Sequence, residues 1–549
     1  MTNKELADLM YPNITETIED YEIKYPKRNL PEGAVVSRYA PSPTGFVHMG
    51  NMLSCFIENK LPEQTNGVFY LRIEDTDQKR EIENGIDNIV NAIKVLGLNY
   101  NEGVISNGVQ KGAYGPYIQS ERKGIYDVFA KYMIENDMAY PCFCTEEDLT
   151  DIRNHQQSNK FRIGYYGKFA KCRNLTNEER AEKIKAGIPY TVRLKSLGDY
   201  DKKIKVKDLV KGEVVFPEND QDIVLIKSNG IPVYHFAHLV DDHLMRTTHV
   251  LRGEDWLSSV PVHLELFKRF NFEPPKYAHL GLVMIVDENG TKRKISKRKD
   301  QDFSISSFEK QGFPSVALQE YLMTIANTNF EGWRQANQNE SLDKFEFSFS
   351  KVGSNPLFDM SKLINISKNC ISKMTAEELY NNLTEWSQKY DSEFYNLIKE
   401  KEEYTKKVLN IEREQKKPRK DFSCYSDIKN KVWYMFDEYF NEIKQDYEWQ
   451  NIKDIELIKK IVEDYFNNYY DISDDKNTWF DKMKELCKKY NFASDMKEYK
   501  ENPDNYNGNI TDIATIIRVA ITTSSNTPDL FEILKILGME KIKKRVEKL

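Results

Sequence analysis

Residues 34–51, AVVSRYAPSPTGFVHMGN, leave the chain few ways to fold. Ala34, Val35, Val36 and Tyr39 make a short, mostly apolar and β-branched strand, and Pro41 and Pro43 stop its ladder and stiffen the exit. A helix then starts near His48 and runs through Leu53, Phe56 and Leu61. Its unpaired N–H groups and positive dipole end point at whatever lies over the turn, and Gly45 and Gly50 leave room there for a ligand. An anion belongs at that place, most naturally a phosphate. Taken alone, His48-x-Gly50 is a weak signal that an ordinary capped strand-to-helix turn also satisfies. The balance shifts with Lys292–Lys299, KRKISKRK, where six of eight side chains are basic and a serine stands between two lysines. Two distant anion sites fit one nucleotide.

The 549 residues exceed one compact core, so roughly two to four domains are expected. No apolar run approaches a membrane span, and the acidic amino terminus lacks an apolar core with a cleavage site, so a cytoplasmic protein without a membrane partner is expected. Seven scattered cysteines form no disulfide framework, which suits a reducing compartment. A formal charge of −7 excludes a protein that coats nucleic acid through its whole surface. Local basic clusters at 292–299 and in the terminal KIKKRVEKL can still meet a phosphate backbone.

Hydrophobic period divides the chain. Residues 1–33 read as a short helical N-terminal extension, and 34–123 as a first α/β half whose second strand, GVFYLRIEDTD, ends in Glu74, Asp75 and Asp77. The carboxyl end of a parallel strand is where a site forms. Short strands and polar loops at 124–230 read as an insertion, and α/β pattern resumes at 231–305 with the basic loop. Helical spacing then dominates 306–374 and 375–549, where VWYMFDEYF (432–440) and the terminal KIKKR offer aromatic and basic faces to unpaired bases.

Arg38–Gly45 (RYAPSPTG), Leu71–Asp77 (LRIEDTD) and Gly115–Arg122 (GPYIQSER) occur in one order with His48-Met49-Gly50-Asn51 and Lys294-Ile295-Ser296-Lys297-Arg298. Together they resemble the bacterial-type glutamyl-tRNA synthetases, class I enzymes whose nucleotide motifs are called HIGH and KMSKS. Glutaminyl, archaeal and eukaryotic members carry Pro-Glu-Pro where this chain has Pro41-Ser42-Pro43, and read the anticodon with β-barrels rather than helices. Near the end, IRVAITTSSNTPDLFEILKILG resembles the family's terminal bundle. The resemblance implies an α/β fold: a Rossmann-type catalytic domain with an inserted α+β acceptor-end-binding domain, a helical stem-contact region at 306–374 and an all-α anticodon-binding domain from 375.

It also implies ATP, L-glutamate and tRNA(Glu) as substrates, with tRNA(Gln) an open alternative, Mg2+ carried by the ATP phosphates, and a monomer. The implied catalytic residues are His48, Gly50, Lys294 and Lys297, with Asn51 and Ser296 added for ATP binding. Arg38, Ser42, Glu74, Tyr234, His238 and Arg252 are implied for glutamate. Elementary chemistry agrees, since an amino acid with two carboxylates needs two cations and one anion, and arginine offers a carboxylate its planar fork. His238 departs from the family's asparagine, and a core histidine is as good a reading as a ligand contact. Cys142, Cys144 and Cys172 resemble a zinc knuckle, yet Asn174 stands where a fourth ligand is expected and is a poor one. His155 or Tyr166 are the alternatives, and no metal residue is assigned. An inactive synthetase-like tRNA-binding protein is disfavoured because His48, Gly50, Lys294 and Lys297 are all present, and a short tRNA-modifying paralogue because residues 306–549 follow the loop.

Overall fold

The structure is a computed structural model that describes residues 1–549 apart from 78, 107, 297, 298 and 443–445. It divides into two compact units, one of residues 1–308 and 318–359 and one of 309–317 and 360–549.

The first unit opens with α1 (Asn3–Met10) and α2 (Ile18–Lys24). Thr2 and Thr17 cap them, each hydroxyl accepting from the N–H of Glu5 or Asp20 while that carboxylate reaches back to the cap N–H. β1 (Val36–Tyr39), α3 (Met49–Thr65) and β2 (Val68–Leu71) follow, and β1 pairs with β2 in parallel, Val36 opposite Val68. The return from α3 depends on Gly67. A Cβ there would stand 1.9 Å from the Val35 carbonyl oxygen, the same oxygen that accepts from Val68 N–H at 2.9 Å. After α4 (Gly85–Val95), β3 (Glu102–Ser106) pairs in parallel with β2, and β4 (Val109–Lys111) closes the edge antiparallel.

The segment expected as an insertion holds α5 (Lys123–Glu135), β5 (Ala139–Cys142), α6 (Glu146–Ser158), α7 (Asn177–Lys185), β6 (Thr191–Leu194), β7 (Lys203–Asp208), β8 (Gly212–Pro217) and β9 (Val224–Ile226). β5, β6 and β9 form an antiparallel sheet, and β7 and β8 a separate hairpin. The α/β pattern then resumes with α8 (Tyr234–Leu244), β10 (His249–Gly253), α9 (Val260–Arg269) and β11 (Lys276–Leu280), the two strands parallel. Thr248, just before β10, donates from its N–H to the Val36 carbonyl at 2.9 Å and accepts from Val36 N–H at 2.8 Å. Strand β1 therefore has β2 on one flank and β10 on the other, and this reversal of strand order is where an open α/β sheet places a ligand site. The hairpin β12 (Met284–Val286) and β13 (Lys292–Lys294) carries the basic loop.

The second unit is helical, with no strand element among the described residues. Leu379, Leu383, Phe394, Ile428, Met435, Phe436, Phe440, Ile461, Ile513, Ile517, Ile521 and Ile533 belong to its core. The aromatic run 432–440 is thus mostly spent on packing rather than offered to bases: Met435, Phe436 and Phe440 are fully buried, and Val432, Tyr434 and Tyr439 nearly so. The terminal basic run is likewise not a uniform outer face. Arg545 lies inside, its guanidinium 3.9 Å from the Phe440 ring centroid and bonded to Asp437 at 2.9 Å and the Ile521 carbonyl at 2.6 Å.

Candidate active site

The turn after β1 folds as its sequence requires. His48 is the N-cap of α3: Nδ1 accepts from Asn51 N–H at 3.3 Å, and the Asn51 side-chain oxygen accepts from His48 N–H at 3.3 Å. In the neutral ring this puts the remaining proton on Nε2. Asn51 is thereby explained as half of a capping box. Gly50 has a helical backbone that any residue could adopt, but a Cβ there would meet His48 Cε1 and Nδ1 at 3.1 Å and Val283 Cβ at 3.5 Å. The space that this glycine leaves is taken by the histidine ring, not kept open for a ligand.

The segments on either side of the basic loop meet this turn. His48 forms a β-bridge with Ser304, Ile305 N–H donates to the Val47 carbonyl at 3.0 Å, and Val283 of the loop's hairpin lies against Gly50. Asp300 organises the loop, accepting both Arg293 guanidinium nitrogens at 2.7 Å and Ser296 N–H at 2.6 Å. The Arg293 hydrogen bonds hold the Asp300 carboxyl below its ordinary range, with His48 contributing. Lys294 is exposed at the end of β13, and Lys297 lies outside the described residues.

Beside it a buried ionic network spans β1, β2 and α8. Arg38 Nε donates to Asp242 at 3.2 Å and Nη1 stands 3.5 Å from Glu58; Arg72 binds Asp242 at 2.8 Å and Glu74 at 3.0 Å; Arg122 binds Asp241 at 2.6 Å. Burial alone would raise Asp242, but Arg38 and Arg72 overcome it and hold the carboxyl well below its usual value. Burial wins at Glu58, which is pushed up to about 8, and its Oε2 has no hydrogen-bond partner. Near neutral pH Glu58 is therefore mainly protonated, and burial raises the Glu74 carboxyl as well, against the pull of Arg72 and Arg38, so Asp242 is the member of this cluster that the arginines hold firmly ionised. Pro41, the neighbour of Ser42 in the turn, accepts the Glu74 N–H on its carbonyl at 3.0 Å.

The network continues to Arg252. Both ring nitrogens of His238 have protein partners, Nδ1 at Asp242 and Nε2 at the Tyr277 hydroxyl, 2.9 Å away. Burial pushes His238 down to about 4, so it is a neutral core histidine that stacks on Tyr234 at 5.7 Å between centroids. Tyr234 hydroxyl accepts from Arg252 Nη1 at 3.1 Å, and His263 Nδ1 accepts from the same group at 3.2 Å. Arg38, Glu74, Tyr234, His238 and Arg252 thus form one continuous cluster at the strand ends, and Ser42 lies in the turn that follows β1.

The class I synthetase catalytic-domain model for the E and Q enzymes matches residues 34–365, and an anticodon-binding-domain model matches 378–549. A glutamate-tRNA ligase of Clostridium perfringens is 45% identical over 548 residues, covering 100% of both chains. That of Acetivibrio thermocellus is 44% identical with 100% of both covered. The chain belongs to the glutamate-tRNA ligase family. A more distant member, from Sorangium cellulosum, is 38% identical over 96% of this chain and 97% of its own. The fold of the ligase family is also that of a solved glutamate tRNA ligase from Elizabethkingia meningosepticum, at a TM-score of 0.74 and 23% identity over 94% of this chain and 98% of that one.

Against that family background, the cysteine trio of this ligase is compact. Cys144 and Cys172 sulfurs are 3.7 Å apart, all three sulfurs lie within 4.8 Å of one another, and the Tyr165 hydroxyl is 3.3 Å from both Cys142 and Cys144. Hydrogen bonds from Cys144 and Cys172 lower the Cys142 thiol, which favours one thiolate. Tetrahedral zinc with bonds of about 2.3 Å sets its sulfurs about 3.8 Å apart, so the donors fit. Tyr166 is spent on the Arg162 carbonyl and His155 packs on Phe161 and Phe169, so neither joins the trio; Tyr165 does.

Arg72, Asp241, Asp242, Glu58, His263, His279 and Asp300 escaped the reading of the sequence. One signal was visible: His238 and Asp242 stand four apart on a helix, the spacing of neighbours on one face. Their partners on β1 and β2 lie some 170 to 204 positions away and leave no local trace.

Proposed function

We propose that the chain activates L-glutamate with ATP and transfers it to the 3′-terminal adenosine of tRNA(Glu), releasing AMP and pyrophosphate. One observation carries this reading: a capped helix N-terminus, bridged through His48 to Ser304 just beyond the basic loop, stands at the same strand-order reversal as a buried arginine, carboxylate and tyrosine cluster. In the first step an oxygen of glutamate's α-carboxylate attacks the α-phosphorus and pyrophosphate leaves. In the second, a ribose hydroxyl displaces AMP from the acyl carbon. His48 Nε2–H, the amides of α3, Lys294, Ser296 and Lys297 would neutralise the phosphates as charge builds in the transition state, and Mg2+ enters with them as part of the ATP substrate. Arg38 and Arg252 would take glutamate's two carboxylates and Glu74 its ammonium, with Ser42 and Tyr234 completing the pocket. His238, with both nitrogens engaged, would act through Asp242 and Tyr277 rather than by touching substrate.

The insertion at 124–230 would hold the acceptor end, 306–374 the stem and 375–549 the anticodon, on a monomer. Cys142, Cys144 and Cys172, with Tyr165 beside them, would hold a structural zinc ion that ties the end of β5 to the turn before α7. Charging of purified protein with radiolabelled glutamate on tRNA(Glu) and tRNA(Gln) tests the reading and separates the two RNAs. Absence of glutamate-dependent AMP formation with both RNAs present would overturn it. No helix among the described residues is long and apolar enough to cross a membrane.

A further inference from the structure

Arg252 is held from behind by a chain of two residues, one of them from the inserted segment. Its Nε donates to His279 Nε2 at 2.9 Å, and His279 Nδ1 bonds Asp208 Oδ2 at 2.6 Å. His279 lies on β11 and is fully buried, while Asp208 ends β7 of the inserted hairpin and is 3% exposed. The hairpin is stitched to the same strand by Leu209 N–H donating to the Tyr277 carbonyl at 2.9 Å.

The hydrogen positions follow from the partners. Arg252 can only donate, so His279 Nε2 must be unprotonated; Asp208 Oδ2 can only accept while ionised, so Nδ1 carries the proton. Burial would raise the Asp208 carboxyl, but His279 and the amides of Val210 and Lys211 outweigh it and keep it ionised. Its other oxygen, Oδ1, accepts from the N–H groups of Val210 at 2.9 Å and Lys211 at 2.8 Å, and the His279 N–H is shared between Oδ2 at 3.2 Å and Oδ1 at 3.3 Å. Every acceptor site that faces a donor is therefore used, and the imidazole has one tautomer available.

We propose that Asp208 and His279 are positioning residues for the amino-acid pocket: the carboxylate fixes the imidazole tautomer, and the imidazole fixes the plane of the Arg252 fork that receives a substrate carboxylate. The inference rests on the reading of Arg252 as a glutamate ligand. Its consequence is that a hairpin outside the catalytic sheet sets the geometry of the pocket, so a displacement of that hairpin reaches Arg252 through two hydrogen bonds.

Asp208→Asn isolates the effect with little change of shape. The N–H groups of Val210 and Lys211 hold the asparagine oxygen at the Oδ1 position, which turns its NH2 toward His279 Nδ1. The ring must then accept at Nδ1 and carry its proton on Nε2, against Arg252 Nε–H. Two donors face each other, and the guanidinium must turn away. The glutamate KM should rise about 10- to 100-fold, the range set by a buried donor left unpaired, while the KM for ATP changes less than about threefold.

A second substitution separates this from loss of a structural contact. In His279→Gln the side-chain oxygen replaces Nε2 as acceptor without reference to residue 208. The relay predicts that Asp208→Asn costs less than about threefold in glutamate KM in that background, a strongly non-additive cycle. An equal cost of Asp208→Asn in both backgrounds, or no cost in either, would overturn the proposal. Arg252→Lys distinguishes failure of the underlying reading: if it leaves glutamate KM unchanged, Arg252 is no ligand; if it raises KM while Asp208→Asn does not, the relay alone is wrong.

Discussion

Gly50→Ala asks whether the glycine clears space for a ligand or for the His48 ring. The backbone is already helical, so alanine brings no strain of its own and improves helix propensity by up to about 1 kcal/mol. Its methyl would press on His48 Cε1 and Nδ1 at 3.1 Å, tight enough to move the ring by a few tenths of an ångström. That shift lengthens an Asn51 N–H to Nδ1 contact already at 3.3 Å. Loss of such a cap costs about 1 kcal/mol, so the two terms nearly cancel and the melting temperature should move by no more than a few degrees. Activity has no compensating term. If Nε2–H donates to a phosphate oxygen in the transition state, misplacing it forfeits a charge-assisted hydrogen bond of about 1.5–3 kcal/mol, or roughly 10- to 150-fold in kcat. The assay is tRNA-dependent pyrophosphate exchange over a range of ATP, with calorimetry on the same preparation. A variant with kcat within twofold of the parent, or with a raised ATP KM and an unchanged kcat, would refute the ring-clearance argument.

Lys297→Ala should lower the activation rate by two or more powers of ten with little change in ATP affinity, whereas Lys299→Ala, the matched control, should cost about threefold or less; equal small losses in pyrophosphate exchange would refute the assignment. Glu58→Gln tests the buried acid. Because Glu58 is raised to about 8 in the folded protein against about 4.5 unfolded, the folded state binds the extra proton between those values, so the wild type's Glu58 contribution is full below pH 4.5 and is lost as pH rises through 8. The unfolding free energy of the glutamine variant relative to wild type should therefore climb from pH 5 to pH 8, by an amount of order 3 kcal/mol in denaturant titrations, and a pH-independent difference would contradict a buried neutral acid. Chelation or Cys172→Ser should release one equivalent of zinc by elemental analysis and lower the melting temperature; protein purified under metal-replete conditions without zinc would remove the metal from the reading.

What the sequence made legible was local. A strand, a proline-braced loop and a helix beginning at His48 are dictated by neighbours in the chain, and so is the helical character of the last third. The charges that face one another across β1, β2 and α8 were not legible, because Arg72 and Asp242 are 170 positions apart and nothing near either residue encodes the other. The aromatic run 432–440 misled for a related reason. Its amphipathic spacing is the same whether the apolar face meets bases or a helix core, and only burial decides. Gly50 misled more subtly: a missing side chain says that space is needed but not by whom.

The ionic cluster gives those long-range contacts a functional meaning. Burying arginines is costly unless each is paired, and removing one partner of a buried pair leaves an uncompensated charge. Here Arg38 and Arg72 share Asp242, so that one carboxylate fixes both. Arg252, by contrast, has no carboxylate within ion-pair distance among the described residues; its partners are the Tyr234 hydroxyl and two histidines, His263 and His279, that burial pushes toward the neutral form. Neutral acceptors orient a guanidinium without cancelling its charge. The pocket thus holds one arginine tied to a carboxylate, Asp242, and one with no carboxylate partner among the described residues, which is why Arg252 rather than Arg38 is expected to carry the larger share of carboxylate affinity. Arg38→Lys should accordingly disturb stability more than glutamate KM, and Arg252→Lys the reverse; matched losses of KM in two equally stable variants would show that the neutral setting of Arg252 confers no such division.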